Sequence, residues 1–189
     1  MPLKDTTRRT LLLAARESIR RGFPEEESSI VPGGHDPLMS EPRATFVTLT
    51  RQHALRGCIG SLEARRALLE DVINNAEAAA FRDPRFPPLS LTELPEVEIE
   101  ISVLSSPSPL PVRDRDELLR RLEPGRHGLI LQEGARRATF LPAVWESLPE
   151  PEDFLAALLH KAGLKRDYWS GGLRFHIYTT ESFAETQGP

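Results

Sequence analysis

The sequence predicts an α+β fold for a single domain spanning residues 1–189, with an antiparallel sheet flanked by helices. Residues Glu96–Leu104 alternate between apolar and mostly acidic side chains, which is typical of an antiparallel strand with one solvated face. Residues Glu63–Phe81 carry an apolar stripe at helical spacing, which predicts an amphipathic helix. Strands and helices are mixed without the regular alternation of a doubly wound fold, and this favours α+β over α/β.

The first half of the chain predicts two helices around a β-hairpin. Asp5 is placed to cap the first helix, and Gly22 stands where a C-cap glycine belongs. Prolines and paired glycines indicate a loop after that helix, and a stretch rich in threonine, valine and phenylalanine indicates a strand. The predicted elements are a helix from Asp5 to about Arg21, a loop over Phe23–Pro42, a strand over Arg43–Thr50, a hairpin loop over Arg51–His53 and the helix Glu63–Phe81.

The second half predicts a second group of strands and helices. Asp114 followed by Glu117 is typical of a capping box, and Gly163 is placed to end a helix. Trp145 is expected to anchor a short turn. The predicted elements are a strand over Glu96–Leu104, a linker over Ser105–Val112, a helix from Asp114 to about Leu122, strands over Gly128–Leu131 and Arg136–Leu141, a helix over Pro151–Ala162, a strand over Leu173–Thr180 and a frayed tail from Phe183.

The stretch Ala54–Gly60 combines the only cysteine of the chain with an arginine and two glycines. In an extended segment, Arg56 and Cys58 share one face, so a guanidinium and a thiol would lie side by side. A nearby cation favours the reactive thiolate, which makes both residues catalytic candidates. Gly57 and Gly60 would let a ligand or another backbone approach closely, which makes them ligand-binding candidates. A second interpretation stays open, because a free cysteine is often a small buried hydrophobe and strand glycines often mark a bulge.

Segments after Cys58 add further candidates. A helix that starts at about Leu62 would point its positive N-terminal end back toward the thiol. The proline-rich segment Asp83–Pro88 is expected to be stiff, and its Asp83, Arg85 and Phe86 could line a cleft and bind a ligand. Alternatively, Asp83 caps the turn and pairs with Arg85. Three histidines are candidate bases for Cys58: His53, His127 and His176. His127 is also explained as a turn residue.

Composition limits the classes of function. The formal net charge of −4 and the pI of about 5.8 argue against a nucleic-acid-binding surface, which is normally basic. No apolar run approaches the length needed to span a membrane. The start of the chain lacks the apolar segment of a secretory signal, and one cysteine cannot form an intramolecular disulfide. We therefore expect a cytoplasmic protein with a reduced thiol.

Several blocks of the sequence resemble the AMMECR family, the A component of the AmmeMemoRadiSam system. The central block is LRGCIG at Leu55–Gly60. One position departs from the family pattern, since Ala143 stands where relatives more often carry glutamine. The other blocks, in family order, are FVTL (Phe46–Leu49), AEAAAFRDPRFPPL (Ala76–Leu89), EVEIEISVL (Glu96–Leu104), HGLIL (His127–Leu131), FLPAVW (Phe140–Trp145) and FLAALLHKAGL (Phe154–Leu164) with Trp169 shortly after.

The resemblance implies an AMMECR-like fold of two unequal subdomains. The larger would be built from both chain ends and the smaller from a central segment, with a cleft between them lined by the LRGCIG region. It also implies that the chain works with MEMO-type and radical SAM proteins, which accompany relatives of the family.

Three functional hypotheses follow. The first is an accessory module that binds a partner protein or an unknown small molecule, because the chain lacks the glycine-rich, Cys-x-x-Cys and Gly-x-Ser-x-Gly motifs of common enzymes and cofactor sites. On the same grounds we expect no cofactor and no metal site. The second is an enzyme that uses Cys58 as nucleophile, with Arg56 stabilising a thiolate or a developing anion. The third is a nucleic-acid-linked regulatory factor, which the charge balance opposes.

Overall fold

The computed structural model describes residues 3–24 and 36–185, and the chain divides into two compact units. The terminal unit comprises the residues up to Leu104 and those from Glu181 on, and the central unit comprises Ser105–Thr180. Within the described residues, four α-helices and two four-stranded antiparallel sheets confirm the α+β prediction. Residues 25–35 of the predicted loop Phe23–Pro42 lie outside the described residues.

Every regular element belongs to one of these two units or joins them. Three short 3-10 turns also occur in the described part, at Pro37–Ser40, Leu94–Glu96 and Pro142–Glu146. In chain order, the helices and strands are α1 (Asp5–Arg20), β1 (Thr45–Arg51), β2 (Ala54–Gly60), α2 (Leu68–Phe81), β3 (Val97–Leu104), β4 (Ser108–Pro109), α3 (Arg115–Arg121), β5 (Gly128–Glu133), β6 (Arg136–Phe140), α4 (Pro151–Lys161), β7 (Arg174–Tyr178) and β8 (Thr180–Ala184).

In the terminal unit, α1 and α2 cover one face of a sheet with strand order β2-β1-β3-β8. The alternation predicted for Glu96–Leu104 is confirmed, because Val97, Ile99, Ile101 and Val103 are all buried in this core. The predicted frayed tail from Phe183 is wrong for residues 183–185, because β8 pairs beside β3 as an edge strand of this sheet, and residues 186–189 lie outside the described residues. The sequence did not predict this strand because the segment lacks an alternating apolar pattern. Backbone hydrogen bonds hold it in place, such as that from Glu185 N–H to Ile99 O.

The predicted hairpin of β1 and β2 is present, with one irregularity. Gln52 and His53 form a two-residue turn in which both φ angles are positive, 52° and 63°, as a type I′ turn requires. Leu49 pairs with Gly57 and Thr50 pairs with Leu55, so Arg56 is an extra residue in β2. This β-bulge interrupts the alternation of side chains at Arg56.

Both helices of the terminal unit begin differently from their predictions. Asp5 is the first residue of α1 rather than its cap, and Lys4 occupies the N-cap without a side-chain hydrogen bond. Gly22 does not adopt a positive φ angle; a Cβ there would overlap the ring of Phe81. The second helix starts at Leu68, six residues later than the predicted Leu62, because residues 61–67 form bends and an isolated bridge.

In the central unit, a sheet with strand order β4-β7-β5-β6 packs its apolar face against α3 and α4. Asp114 caps α3 by accepting the N–H of Glu117 at 2.7 Å, which confirms half of the predicted capping box. Gly163 ends α4 with a φ of 73°, as predicted. Trp145 is buried and stacks on Phe154 with ring centroids 3.8 Å apart, which confirms its anchoring role.

Candidate functional site

Cys58 lies in β2, which is an edge strand of the sheet in the terminal unit. Its N–H donates to Asp83 Oδ2 at 2.9 Å, and its carbonyl oxygen accepts from Arg85 Nη2 at 3.1 Å. Both backbone groups therefore point away from β1 and are satisfied by side chains of the segment that follows α2. These side chains close the sheet edge at this position, as a neighbouring strand would, and block pairing with another chain.

Asp83 is charged and yet buried, with its side chain 2% exposed. Besides the Cys58 N–H, its carboxylate accepts from Arg85 Nη2 at 2.7 Å and from Arg85 Nε and N at 3.0 Å each. The Arg85 guanidinium, and after it the backbone N–H groups of Cys58 and Arg85, hold the pKa of this carboxyl well below its usual range. The predicted pairing of Asp83 with Arg85 is confirmed.

The thiol of Cys58 is half-buried on the sheet face opposite the helices. Thr48, its partner across β1 and β2, donates from Oγ1 to Sγ at 3.4 Å. The guanidinium of Arg85 lies beside it: the pKa of Arg85 is raised mainly by Asp83 and to a smaller extent by the Cys58 side chain. The Thr48 hydroxyl therefore contacts the sulfur, and Arg85 is the cation near it.

The predicted pairing of Arg56 with the thiol does not occur as expected. Arg56 instead binds Glu93 through Nε at 2.9 Å and Nη2 at 3.1 Å, and its side chain is 11% exposed. The bulge at Arg56 breaks the alternation on which the prediction depended, and Arg85 is the cation at Cys58. Both guanidinium groups lie near the ring of Phe86, with Cζ 6.0 Å from its centroid for Arg56 and 5.5 Å for Arg85.

Glu93 is a site residue that the sequence reasoning missed. Its carboxylate accepts from Arg56, and also from the backbone N–H of Ser90 at 3.0 Å and its hydroxyl at 2.9 Å. The Arg56 guanidinium first, and then Ser90, lower the pKa of Glu93 to about 2. The Ser-x-x-Glu spacing at 90–93 is a recognised signal for such a reciprocal contact and could have identified this residue.

The two glycine candidates are explained by packing within the chain. A Cβ on Gly57 would overlap the carbonyl oxygen of Ala79 in α2, and a Cβ on Gly60 would overlap the ring of Phe46. The close approach of α2 at Ala79 fits its three consecutive alanines, Ala78–Ala80, because their side chains are small. The space beside both glycines is therefore filled by other parts of the terminal unit.

The end of α2 that lies near Cys58 is its C-terminal end, so the predicted helix N-terminus beside the thiol is wrong. Ala79 packs on Gly57, and Asp83 directly follows the C-cap residue Arg82. The helix begins elsewhere, where Leu68 N–H donates to the carbonyl oxygen of Glu41, a residue that precedes β1. A C-terminal helix end carries partial negative charge, and the Arg85 cation suits this position.

The histidines show different environments. His53 is exposed in the β1–β2 turn, five residues and therefore about 15 Å along the strand from Cys58. His127 is buried in the central unit, where its Nδ1 accepts the Glu123 N–H at 3.1 Å, which confirms it as a turn residue. His176 lies in β7 of the same unit. In the described part of the terminal unit, no histidine lies beside Cys58 to act as a base.

The described residues contain no cluster of three or more histidine, cysteine, aspartate or glutamate side chains placed to hold a metal ion. None of their helices is both long and apolar enough to cross a membrane.

The fold and the site together define an α+β protein with one half-buried thiol on an edge strand that an Asp–Arg segment closes. The model of the AMMECR1 family matches residues 12–183, and the chain belongs to that family. The resemblance seen in the sequence is thereby confirmed.

Relatives share most of the chain. A protein from Thermofilum pendens is 36% identical over 192 residues, covering 93% of this chain and 88% of its own. A protein from Methanosarcina acetivorans is 37% identical, with 83% of this chain and 82% of its own covered. The crystal structure of an uncharacterized protein from Pyrococcus horikoshii has a TM-score of 0.77 and 34% identity, covering 95% of this chain and 92% of that chain.

Proposed function

We propose that this AMMECR1-family chain is an accessory binding module that holds an acidic group of a partner protein. The binding surface consists of Arg56, Cys58, Arg85 and Phe86 in the terminal unit. The observation that carries the proposal is the pair of guanidinium groups around Phe86, each held rigidly by one carboxylate and each with donors left over.

Rigidity favours binding because ordered side chains lose little entropy when a partner docks. Arg85 is fixed by Asp83 and by the Cys58 carbonyl, and Arg56 is fixed by Glu93. Each guanidinium donates from Nε and Nη2 to its own carboxylate, which is the bidentate arrangement that arginine prefers.

The donors left over point to an anionic ligand. Nη1 of Arg56 is buried and has no hydrogen-bond partner among the described residues, and Nη1 of Arg85 has none there either. Arg85 is the accessible member of the pair, with its side chain 53% exposed, so an incoming carboxylate can accept a hydrogen bond from its Nη1. An acidic side chain over Phe86 would bind Arg85 directly and would be attracted by the positive charge of the nearby Arg56.

The family resemblance suggests MEMO-type and radical SAM proteins as the partners. A cytoplasmic location suits this role, because thiols stay reduced there and the single cysteine is free.

The test is binding of the purified chain to the MEMO-type protein of the same organism, measured by isothermal titration calorimetry. We expect Arg85→Ala to weaken binding about tenfold, the loss typical of a charged hydrogen bond. Arg82→Ala is the matched control, because Arg82 is 56% exposed against 53% for Arg85 and also pairs with one carboxylate, Glu77. Equal affinity of the wild type, Arg85→Ala and Arg82→Ala for the MEMO-type protein, or no complex with it, would contradict the proposal.

A second candidate function is a Cys58-dependent enzyme. It is favoured by the Thr48 hydroxyl that contacts the sulfur and by the Arg85 cation near it, two polar groups of the kind that surround a cysteine nucleophile. The test is the rate of alkylation of Cys58 with iodoacetamide in folded protein and in urea. Fast native labelling that Arg85→Ala slows would support this function, and labelling in urea alone would exclude it. The nucleic-acid-linked hypothesis stays a prediction for a filter-binding assay.

A further inference from the structure

The central unit contains a cavity of about 480 Å³ that no part of the proposed function uses. It lies where the segment Pro109–Val112 separates from β7, and the tip of the β5–β6 hairpin forms another wall. Its volume falls in the range of small-molecule sites, about 300–1,000 Å³.

The sequence explains why the cavity forms. Strand β4 pairs with β7 for only two residues, Ser108 with Ile177 and Pro109 with His176. The Leu110 N–H then donates to Phe175 O at 2.9 Å, after which Pro111 has no N–H to continue the ladder. The chain therefore leaves the sheet edge and opens a gap beside the start of β7.

One side of the cavity is polar and carries positive charge. Gln132 and Arg174 are paired across β5 and β7, and His176 follows on the same face, since the intervening Phe175 is buried in the core. Arg174 Nη1 donates to the carbonyl oxygens of Gly171 at 2.8 Å and Leu173 at 2.9 Å, which fixes the guanidinium. Its Nε and Nη2 have no hydrogen-bond partner among the described residues.

The other side of the cavity is apolar, and no carboxylate lines it. Leu110, Leu173 and Phe175 are buried and supply apolar contact, together with the flanking prolines. Glu133 is not a lining residue, although its carboxylate lies beside Gly172, where a Cβ would come within 2.8 Å of both oxygens. Its Oε1 accepts from Tyr168 and Ser170, and its Oε2 is buried without a hydrogen-bond partner among the described residues. The lining residues include one arginine, Arg174, and no lysine, aspartate or glutamate.

We propose that this cavity binds a small-molecule monocarboxylate with a branched or aromatic apolar body. The carboxylate pairs with the Nε–Nη2 edge of Arg174, because the planar fork of a guanidinium matches a carboxylate. Gln132 and His176 add hydrogen bonds, and the apolar body lies against Leu110 and Leu173.

The experiment is an NMR titration of the full-length, ¹⁵N-labelled chain. The probes are 3-phenylpropionate and 4-methylpentanoate, with 3-phenylpropionamide as the neutral control, each up to about 10 mM, which detects weak sites of millimolar Kd. We expect saturable shifts of the Gly172, Arg174 and His176 amides with at least one carboxylate. Affinity for the amide should be about tenfold lower, the loss expected for a charged hydrogen bond.

Two variants and one control complete the test. Arg174→Gln should lower the affinity about tenfold, whereas Arg166→Gln, at an exposed arginine of the same unit, should not change it. Gln132→Trp should fill the cavity and abolish binding, and Gln132 is exposed, so the core stays intact. Dispersed amide spectra establish that each variant is folded. Saturation by neither carboxylate, shifts elsewhere in the chain, or equal affinity for the amide would overturn the proposal.

Discussion

The carboxylate of Asp83 lies 2.9 Å from the backbone nitrogen of Cys58 and accepts its hydrogen. The same carboxylate binds Arg85, which in turn donates to the Cys58 carbonyl oxygen. One residue of the edge strand is therefore held at both backbone groups by two side chains of a single short segment. The end of α2 and strand β2 are fixed to each other by this contact, and the thiol is fixed with them.

We expect Asp83→Asn to destabilise the terminal unit by about 1–3 kcal/mol, because a neutral amide weakens the bond to Arg85 and presents only one acceptor. The measurement is hydrogen exchange of the Cys58 amide, read by NMR together with the urea midpoint. Exchange at Cys58 should accelerate more than at other β2 amides.

The control for this change is Asp167→Asn, at an exposed aspartate of the central unit. It should leave both the Cys58 exchange rate and the urea midpoint unchanged. If Asp83→Asn behaves in the same way as this control, the Asp83–Cys58 contact does not hold the edge strand.

Gly57→Ala should be strongly destabilising, by about 1–3 kcal/mol, because the new Cβ would overlap a backbone carbonyl of α2 that cannot rotate away. Gly171→Ala is the matched control, since nothing lies within 4 Å of a Cβ at that position and its φ angle is not positive. Thermal unfolding of the two variants, followed by circular dichroism, checks the difference. Similar melting temperatures for both would show that α2 does not pack tightly on β2.

Glu93 should make the terminal unit less stable in acid. Its pKa is lowered from 4.5 to about 2 in the folded chain, chiefly by Arg56, so the folded state binds fewer protons than the unfolded state between these values. Its contribution is therefore complete above pH 4.5 and is lost as the pH falls toward 2. We expect Glu93→Gln to lower the urea midpoint at pH 6 and to have a smaller effect at pH 3.

The control is Glu70→Gln, because Glu70 belongs to the same unit but is 61% exposed. Its effect on the urea midpoint should be small and similar at both pH values. A Glu93→Gln effect that is equally large at pH 3 and pH 6 would contradict the assignment.

Regular patterns in the sequence predicted most of the fold. Strand β3 and helix α4 follow directly from apolar spacing, because one face of each element must be buried. Strand β8 was missed because its residues carry no such pattern, and it is ordered by hydrogen bonds along an existing sheet. The start of α2 was placed too early because helix propensity continues before Leu68, while the chain instead pairs Pro42 with Ala67.

The candidate site was predicted in part. Composition and proline placement identified Cys58, Asp83 and Arg85 as candidates. Their mutual contacts could not be predicted, because they depend on which side of β2 the segment Asp83–Pro88 packs against. Arg56 was assigned to the thiol from strict alternation, and a single extra residue in β2 changed its partner to Glu93. A bulge depends on the register of both strands, so the sequence of one strand does not specify it.

Burial of His127 should make the central unit less stable as the pH falls below 6.5. Desolvation lowers the pKa of this imidazole below its ordinary 6.5, so the unfolded state binds the proton more readily, and the stability present above pH 6.5 is lost as the pH falls through the folded value. Protonation would also remove the Nδ1 acceptor of the Glu123 N–H.

Tryptophan fluorescence measures this effect, because Trp145 and Trp169 both belong to the central unit and Trp145 Nε1 donates to His127 O at 2.7 Å. We expect the urea midpoint of the wild type to decrease as the pH is lowered from 7.5 to 5. In His127→Gln the midpoint should depend less on pH. His160→Gln is the control, since His160 is exposed on α4 of the same unit and should keep the slope of the wild type. Glutamine binds no proton in the folded or the unfolded state, so His127→Gln removes the contribution of this imidazole. If the urea midpoint of His127→Gln changed with pH as strongly as that of the wild type, other groups would cause the pH dependence.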